Sequence, residues 1–191
     1  MAINSVSEMK KIVVIGPEST GKSTLCEQLA AHYKTGWVKE YAREYLLKNG
    51  TDYSYEDLLT IAKGQTQAEE TVLANIQYSI FNIQSPTVFI DTDMYVMKVW
   101  CEYVFGRCHH WILNRIVERK YDLYLLCHPD LPWVKDELRE YPDQETREKL
   151  FHYYKDLMVN QDVPWVDISG DYDVRLKKAI AAVDRQLAIG N

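Results

Sequence analysis

Ile12-Val13-Val14-Ile15-Gly16-Pro17-Glu18-Ser19-Thr20-Gly21-Lys22-Ser23 is the stretch that decides the fold of this chain. Its first four residues are an unbroken apolar run, the mark of a strand buried on both faces of a parallel sheet. The next eight fit G-x-x-x-x-G-K-[ST], a loop whose backbone N–H groups point at phosphate oxygens. In that pattern Lys22 reaches the β- and γ-phosphates, and the Ser23 hydroxyl ligates Mg²⁺. A helix opening on the loop adds the positive end of its dipole. The bland alternative is a tight glycine turn between a strand and a helix. The strand before the loop, and Leu25, Leu29, Ala30 and Tyr33 at helical spacing after it, supply the context that a phosphate site needs. The chain is therefore expected to bind ATP or a similar triphosphate through Gly16, Glu18, Ser19, Thr20, Gly21, Lys22, Ser23 and Thr24.

Outward from the loop, strand and helix patterns alternate. A helix is read over 23–33 and a short strand over 36–38. A helix, or two, follows over 54–81, with Ser54 as N-cap and Asp57 completing a capping-box variant. A buried strand over 87–90 closes on Asp91. Helices are read over 94–105, 111–119, 146–159 and 174–188, and strands over 122–127 and 164–168. Three prolines and many charges mark 129–143 as a loop or lid, the lid reaching to about 147, and residues 1–9 read as a loose leader. This alternation predicts an α/β fold of the P-loop NTPase type. It would be one three-layer α/β/α domain over 1–191, its parallel five-stranded sheet covered by helices on both faces, with a small lid. The ligand belongs beyond the carboxyl ends of the strands.

Composition narrows the classes of function. At 191 residues, 47% hydrophobic and 26% charged, the chain suits one soluble domain with a sizeable core. A net charge of −6 argues against broad binding to DNA, RNA or an anionic membrane, each of which needs a basic face. No apolar stretch approaches the ~18 residues of a membrane span, and residues 1–11 lack the apolar core of a signal peptide. Cys26, Cys101, Cys108 and Cys127 form no C-x-x-C pair, which fits a reducing cytoplasm. Together with His109, His110 and His128 they match no familiar zinc spacing, so core cysteines are expected. The 14 tyrosines are expected mostly as half-buried packing.

Three further groups carry candidate chemistry. Asp91 ends a strand where P-loop enzymes hold Mg²⁺, and Asp93 lies two residues on. Glu40, Arg43 and Glu44 fall on one side of a helical turn. That arrangement reads equally as a solvated face or as an acceptor site whose carboxylate takes a hydroxyl proton. Arg139 and Arg147 flank the proline-rich loop, where a closing lid would bring them to the charge that develops on a transferred phosphoryl.

With these residues in place the chain resembles the ribosylnicotinamide kinase domain of NadR-type proteins. Residues 16–25 are similar to that family's G-x-E-S-[ST]-G-K-S-T-L, and Glu40-Tyr41-Ala42-Arg43-Glu44-Tyr45 to its E-Y-[GA]-R-[DE]-Y. Phe89-Ile90-Asp91-Thr92-Asp93 resembles F-I-D-T-D. Pro132-Trp133-Val134 with Asp136, Leu138 and Arg139 resembles P-W-V-x-D-G-L-R, and Asp171-Tyr172-Asp173 with Arg175 resembles D-Y-D-x-R. The resemblance implies transfer of phosphate from ATP, with Mg²⁺, to the 5′-hydroxyl of nicotinamide riboside, a step of NAD metabolism. It also implies catalytic roles for Lys22, Glu40, Asp91, Arg139 and Arg147, with Ser23 and Asp91 on the metal. A pyridinium cation favours carboxylates and aromatic faces, so Glu40, Tyr41, Arg43, Tyr45, Asp91, Asp93 and Trp100 are the expected substrate residues. Glu40 is expected to accept the proton, with Asp91 or Asp93 the alternative. Glu137 stands where the family has a lid glycine, which predicts a stiffer or more helical loop. The resemblance covers the kinase part of multidomain members, so their regulator and adenylyltransferase activities are not expected of these residues. Two other readings stay open: a kinase of another nucleoside or vitamin alcohol, and an ATP-binding regulatory module. A GTPase would need an N-K-x-D reader and a transporter ATPase an L-S-G-G-Q signature, and the sequence has neither.

Overall fold

The apolar run and the residues beside it form the central strand, β1 (Lys10–Ile15). The computed structural model describes residues 9–79 and 86–189. After β1 come α1 (Lys22–Tyr33), β2 (Trp37–Val38), α2 (Tyr41–Asn49), α3 (Tyr55–Ser79) and β3 (Thr87–Asp91). Then follow α4 (Met94–Phe105), α5 (His110–Glu118), β4 (Leu123–Cys127), α6 (Gln144–Val159), β5 (Trp165–Ile168) and α7 (Tyr172–Ile189). The strands form one sheet in the order β2-β3-β1-β4-β5, every neighbouring pair parallel. This is the expected three-layer α/β/α arrangement, with five strands and seven helices among the described residues.

Alternation along the strands explains the layering. Ile12, Val14, Phe89, Leu125 and Cys127 face α1 and α7, where Leu25, Leu29, Ala179 and Val183 cover them. Val13, Ile15, Val88, Ile90 and Leu126 face the other way, against Val96, Val99, Phe151 and Met158. Each fully buried aliphatic chain contributes about 1.5–3 kcal/mol relative to exposure, so β1 cannot slip by one residue without emptying both faces. A third cluster joins α2, α3, α4 and α5 through Ala42, Leu58, Ile61, Met97 and Ile112.

Several element ends differ from the pattern reading, for local reasons. The charge cluster after β2 opens a whole helix, α2. One helix, α3, spans the long apolar pattern, whose expected end at Ile80 and Phe81 lies outside the described residues, as does most of the expected leader. The capping box at its start is present: Ser54 N donates to Asp57 Oδ2 at 2.8 Å and Asp57 N to Ser54 Oγ at 3.3 Å. β4 begins one residue late because the Asp122 side chain is bound to β1, accepting from Lys11 N at 2.8 Å and Lys10 Nζ at 2.9 Å. Residues 129–143 hold neither helix nor strand. The turn at 137–138 is made by Asp136, whose Oδ1 accepts from Leu138 N at 3.1 Å and whose carbonyl accepts from Arg139 N at 3.3 Å. Glu137 sits inside that turn and is not among the non-glycine residues with positive φ. The position does not demand a glycine, and the loop there is a turn rather than a helix.

Candidate active site

The phosphate loop leaves β1 at Gly16, where φ is +140° and an added Cβ would lie 2.6 Å from the Cys127 carbonyl oxygen. Only glycine lets the loop pass so close to β4. Ser19 is left-handed (φ 56°), and Gly21, at φ 75°, precedes α1. Thr20 Oγ1 donates to the Pro17 carbonyl at 2.8 Å and Lys22 Nζ to the same oxygen at 2.9 Å, so the ammonium lies folded over its own loop. Arg175, buried in α7, ties the loop to the ends of β4 and β5. It donates to Thr20 O at 3.0 Å, His128 O at 2.8 Å and Gly170 O at 2.6 Å, and pairs with Asp130.

Ser23 Oγ donates to Asp91 Oδ2 at 2.5 Å, bringing the two expected metal ligands together. Burial pushes the Asp91 carboxyl up, and the charge of Glu40 adds to this; Lys22 and the Ser23 hydroxyl oppose it. A hydroxyl and a buried carboxylate under that strain are hard oxygen donors suited to Mg²⁺. Thr92 follows in a left-handed conformation (φ 75°). The buried Gln65 of α3 satisfies this bend: its Nε2 donates to Asp91 O at 3.1 Å and Thr92 O at 3.0 Å. Its Oε1 accepts from Tyr41 N at 2.7 Å, which fixes the start of α2, and with it Glu40, against the end of β3.

A cavity of about 250 Å³ runs from the phosphate loop into the space between α2, α4, α6 and the lid. Glu40 and Arg43 enter it from the start of α2. Val96, Val99, Trp100 and Tyr103 enter from one face of α4 at helical spacing, and Leu150 and Tyr154 from α6. The lid adds Leu138, Arg139, Glu140 and Tyr141. Trp100 Nε1 donates to Tyr53 OH at 2.9 Å, and that hydroxyl donates to Glu140 Oε2 at 3.0 Å. The two rings meet edge to face with centroids 5.0 Å apart. Burial raises the Glu140 carboxyl, against the Tyr53 hydrogen bond that lowers it.

The lid is docked. Arg43 pairs with Asp136 at 3.0 Å. Glu18 of the phosphate loop accepts from Trp133 Nε1 at 3.2 Å, Glu140 N at 2.9 Å and Tyr141 N at 2.8 Å, and Ser19 Oγ accepts from Val134 N at 3.1 Å.

Of the residues singled out in the sequence, Glu18, Lys22, Ser23, Glu40, Arg43, Trp100 and Arg139 converge on this cavity, and Asp91 borders it through Ser23. Four others lie elsewhere. The Tyr41 ring packs on Gly64, where an added Cβ would meet it at 2.1 Å. Tyr45 OH is bound to Asp57. Asp93 is buried as the N-cap of α4, accepting from Tyr95 N at 2.9 Å and Tyr124 OH at 2.8 Å, and desolvation pushes its carboxyl up to about 6. Arg147 is buried in α6, donating to Leu131 O at 3.3 Å and bound to Gln144, so it braces the base of the lid. Tyr53, Tyr103, Tyr141, Tyr154 and Glu140 line the cavity without having been expected there. Only the α4 spacing and the place of Glu140 and Tyr141 next to Arg139 signal them in sequence.

Residues 11–175 match the model of a family described as an AAA domain. The trifunctional NAD biosynthesis/regulator protein NadR of Salmonella typhimurium is 27% identical over 183 residues, covering 94% of this chain and 43% of that protein. Its Escherichia coli counterpart is 28% identical over 180 residues, covering 92% and 42%. The chain thus spans less than half the length of these relatives. A crystal structure of NadR in complex with NR superposes with a TM-score of 0.77 at 23% identity, covering 94% of this chain and 50% of that one. NadR in complex with NAD and AMP-PNP gives 0.70 over the same shares, also at 23% identity. Thymidylate kinase from Ehrlichia chaffeensis gives 0.65 at 15% identity, covering 92% of this chain and 98% of that one. At such identities the likeness to the solved structures is one of fold. Among the described residues no helix is long and apolar enough to cross a membrane.

Proposed function

The chain belongs to this AAA-domain family, and from that premise we propose that it is an ATP-dependent kinase transferring the γ-phosphoryl of ATP to the 5′-hydroxyl of nicotinamide riboside, giving the mononucleotide and ADP. One observation carries the reading. The cavity that opens from the phosphate loop is walled by carboxylates and aromatic rings, Glu40, Glu140, Tyr53, Trp100 and Tyr103. Its α2 cation, Arg43, is already paired with Asp136. An acceptor that carried its own phosphate would need free cations there. A pyridinium nucleoside needs negative charge and ring faces. That NadR has been crystallised with NR, and with NAD and AMP-PNP, supports the same pair of substrates.

In this reading the main-chain groups of residues 19–23 hold the triphosphate, and Lys22 leaves the Pro17 carbonyl to meet the β- and γ-oxygens. Ser23 and Asp91 are the residues that would hold Mg²⁺, which supplies charge neutralisation at the phosphates when bound. Glu40 takes the hydroxyl proton, a role supported by its position on the cavity wall, whereas Asp93 is sealed by Tyr124 and Asp91 is committed to Ser23. Arg139 enters from the lid to face the transferred group, and Arg147 holds the lid's base. Transfer then rests on positioning and electrostatics, with no covalent intermediate on the protein. The four free cysteines suit a reducing compartment such as the cytoplasm.

Incubation of the purified protein with Mg-ATP and nicotinamide riboside should yield nicotinamide mononucleotide by chromatography. Turnover of a different nucleoside in place of this one would reassign the acceptor. ATP binding with no transfer to any of a nucleoside panel would favour the regulatory module.

A further inference from the structure

Glu18 sits in the middle of the phosphate loop, and its side chain is hydrogen-bonded to the lid. Both carboxylate oxygens are spent on the lid: Oε1 accepts from the Trp133 indole at 3.2 Å and from Tyr141 N at 2.8 Å, and Oε2 from Glu140 N at 2.9 Å. The next residue, Ser19, adds Val134 N at 3.1 Å. Two of the three groups bound to Glu18 are main-chain amides of Glu140 and Tyr141, whose residues line the acceptor end of the cavity. Glu140 is also the acceptor for Tyr53 OH, which in turn accepts from Trp100. A continuous chain of hydrogen bonds therefore runs from the loop that holds the donor to the rings that would hold the acceptor. The ion pair Arg43–Asp136, a second polar contact on the lid, is half exposed on the arginine side and is correspondingly weak. Hydrogen bonds from N–H groups to a half-buried carboxylate are among the stronger kind.

We propose that Glu18 is a positioning residue that registers the acceptor wall of the lid against the phosphate loop, so that the loop's nucleotide-loaded shape is transmitted to the acceptor pocket. The proposal rests on the kinase reading for the identity of the acceptor and on geometry alone for the latch. Binding coupled in this way is reciprocal: a non-hydrolysable ATP analogue tightens acceptor binding, and the acceptor tightens the analogue by the same factor.

Glu18→Gln tests it. The amide keeps one acceptor oxygen and sets an NH₂ against an amide donor, so the latch loses at least one partner with little change of shape. Hydrogen exchange, followed by mass spectrometry on lid peptides spanning 133–141, should accelerate about tenfold in the variant, while peptides from β1 and β4 keep their protection. The acceptor KM should rise about tenfold, well beyond any change in the Kd of AMP-PNP measured without acceptor. A lid whose exchange is unchanged overturns the proposal. So does an AMP-PNP affinity that falls as far as the acceptor's, because Glu18 would then belong to the cradle. If the wild-type protein does not phosphorylate nicotinamide riboside, the acceptor reading fails, and the lid exchange alone decides the latch.

Discussion

The half of the cleft that we propose holds phosphate and the half that we propose holds the acceptor are built by different means. The first is a single run of main chain, residues 16–23, fixed by glycine geometry and by the Arg175 clasp. The second is a convergence of side chains from α2, Tyr53, α4, α6 and the lid. A site made of backbone is set by chain path, and few residues can change it. A site made of side chains is set by packing, and each residue can be altered on its own. The contrast predicts large, all-or-none losses in the first half and graded, acceptor-specific losses in the second.

The largest effect should come from Lys22→Ala, which removes the cation from a loop that otherwise stays formed. Turnover should fall by about 10²–10³ while the thermal unfolding midpoint stays close to that of wild type; steady-state assays beside calorimetry check this, and retained turnover would break the assignment of the phosphate half. Next is Gly16→Ala, which drives a Cβ against the Cys127 carbonyl at a φ of +140°. It should cost about 2–4 kcal/mol in urea unfolding. Gly50→Ala makes the matched control, since a Cβ there meets nothing within 4 Å despite a φ of +91°, and its cost should be about 1 kcal/mol. Equal losses at the two glycines would mean that close approach to β4 is not what fixes the loop. In the acceptor half, Trp100→Ala should raise the acceptor KM about tenfold and leave the ATP KM unmoved; a parallel rise in both would erase the distinction between the halves.

The smallest effect is one of pH. Hydrogen bonds from Ser54 and then from Tyr45 hold the Asp57 carboxyl down to about 2, which pins α2 to the start of α3. A carboxyl lowered on folding stabilises above its unfolded pKa of about 4. That contribution fades as the pH falls through about 2. The thermal midpoint of wild type should therefore exceed that of Asp57→Asn at pH 6, and the gap should close on acidification toward pH 2, with AMP-PNP affinity at pH 6 the same in both.

This division also governs what was legible in the sequence. The sheet, its layers and the loop could be read because Ile12, Val13, Val14 and Ile15 carry a local pattern and Gly16, Gly21 and Lys22 a fixed spacing. Asp91 could be read because its place at a strand end is itself a local fact. The acceptor wall is not local. Tyr53, Tyr103 and Tyr154 look like any of the 14 tyrosines until folding brings them to one cavity. Tyr41 and Tyr45 share a motif with Glu40 and Arg43, but the turn of α2 sends their rings to Gly64 and Asp57. Arg147 and Arg139 look alike as flanking arginines. Only the path of α6 shows that one is buried beneath the lid and the other reaches the cleft. The turn of Glu18 toward the lid has no mark in the motif that contains it.

Gln65 lies outside the cavity wall, yet one amide holds the start of α2 and the end of β3. It works as a ruler, keeping the separation of Glu40 and Asp91 independent of the aromatic residues around them. Evolution can therefore redraw the aromatic wall, ring by ring, without disturbing the spacing of these two carboxylates.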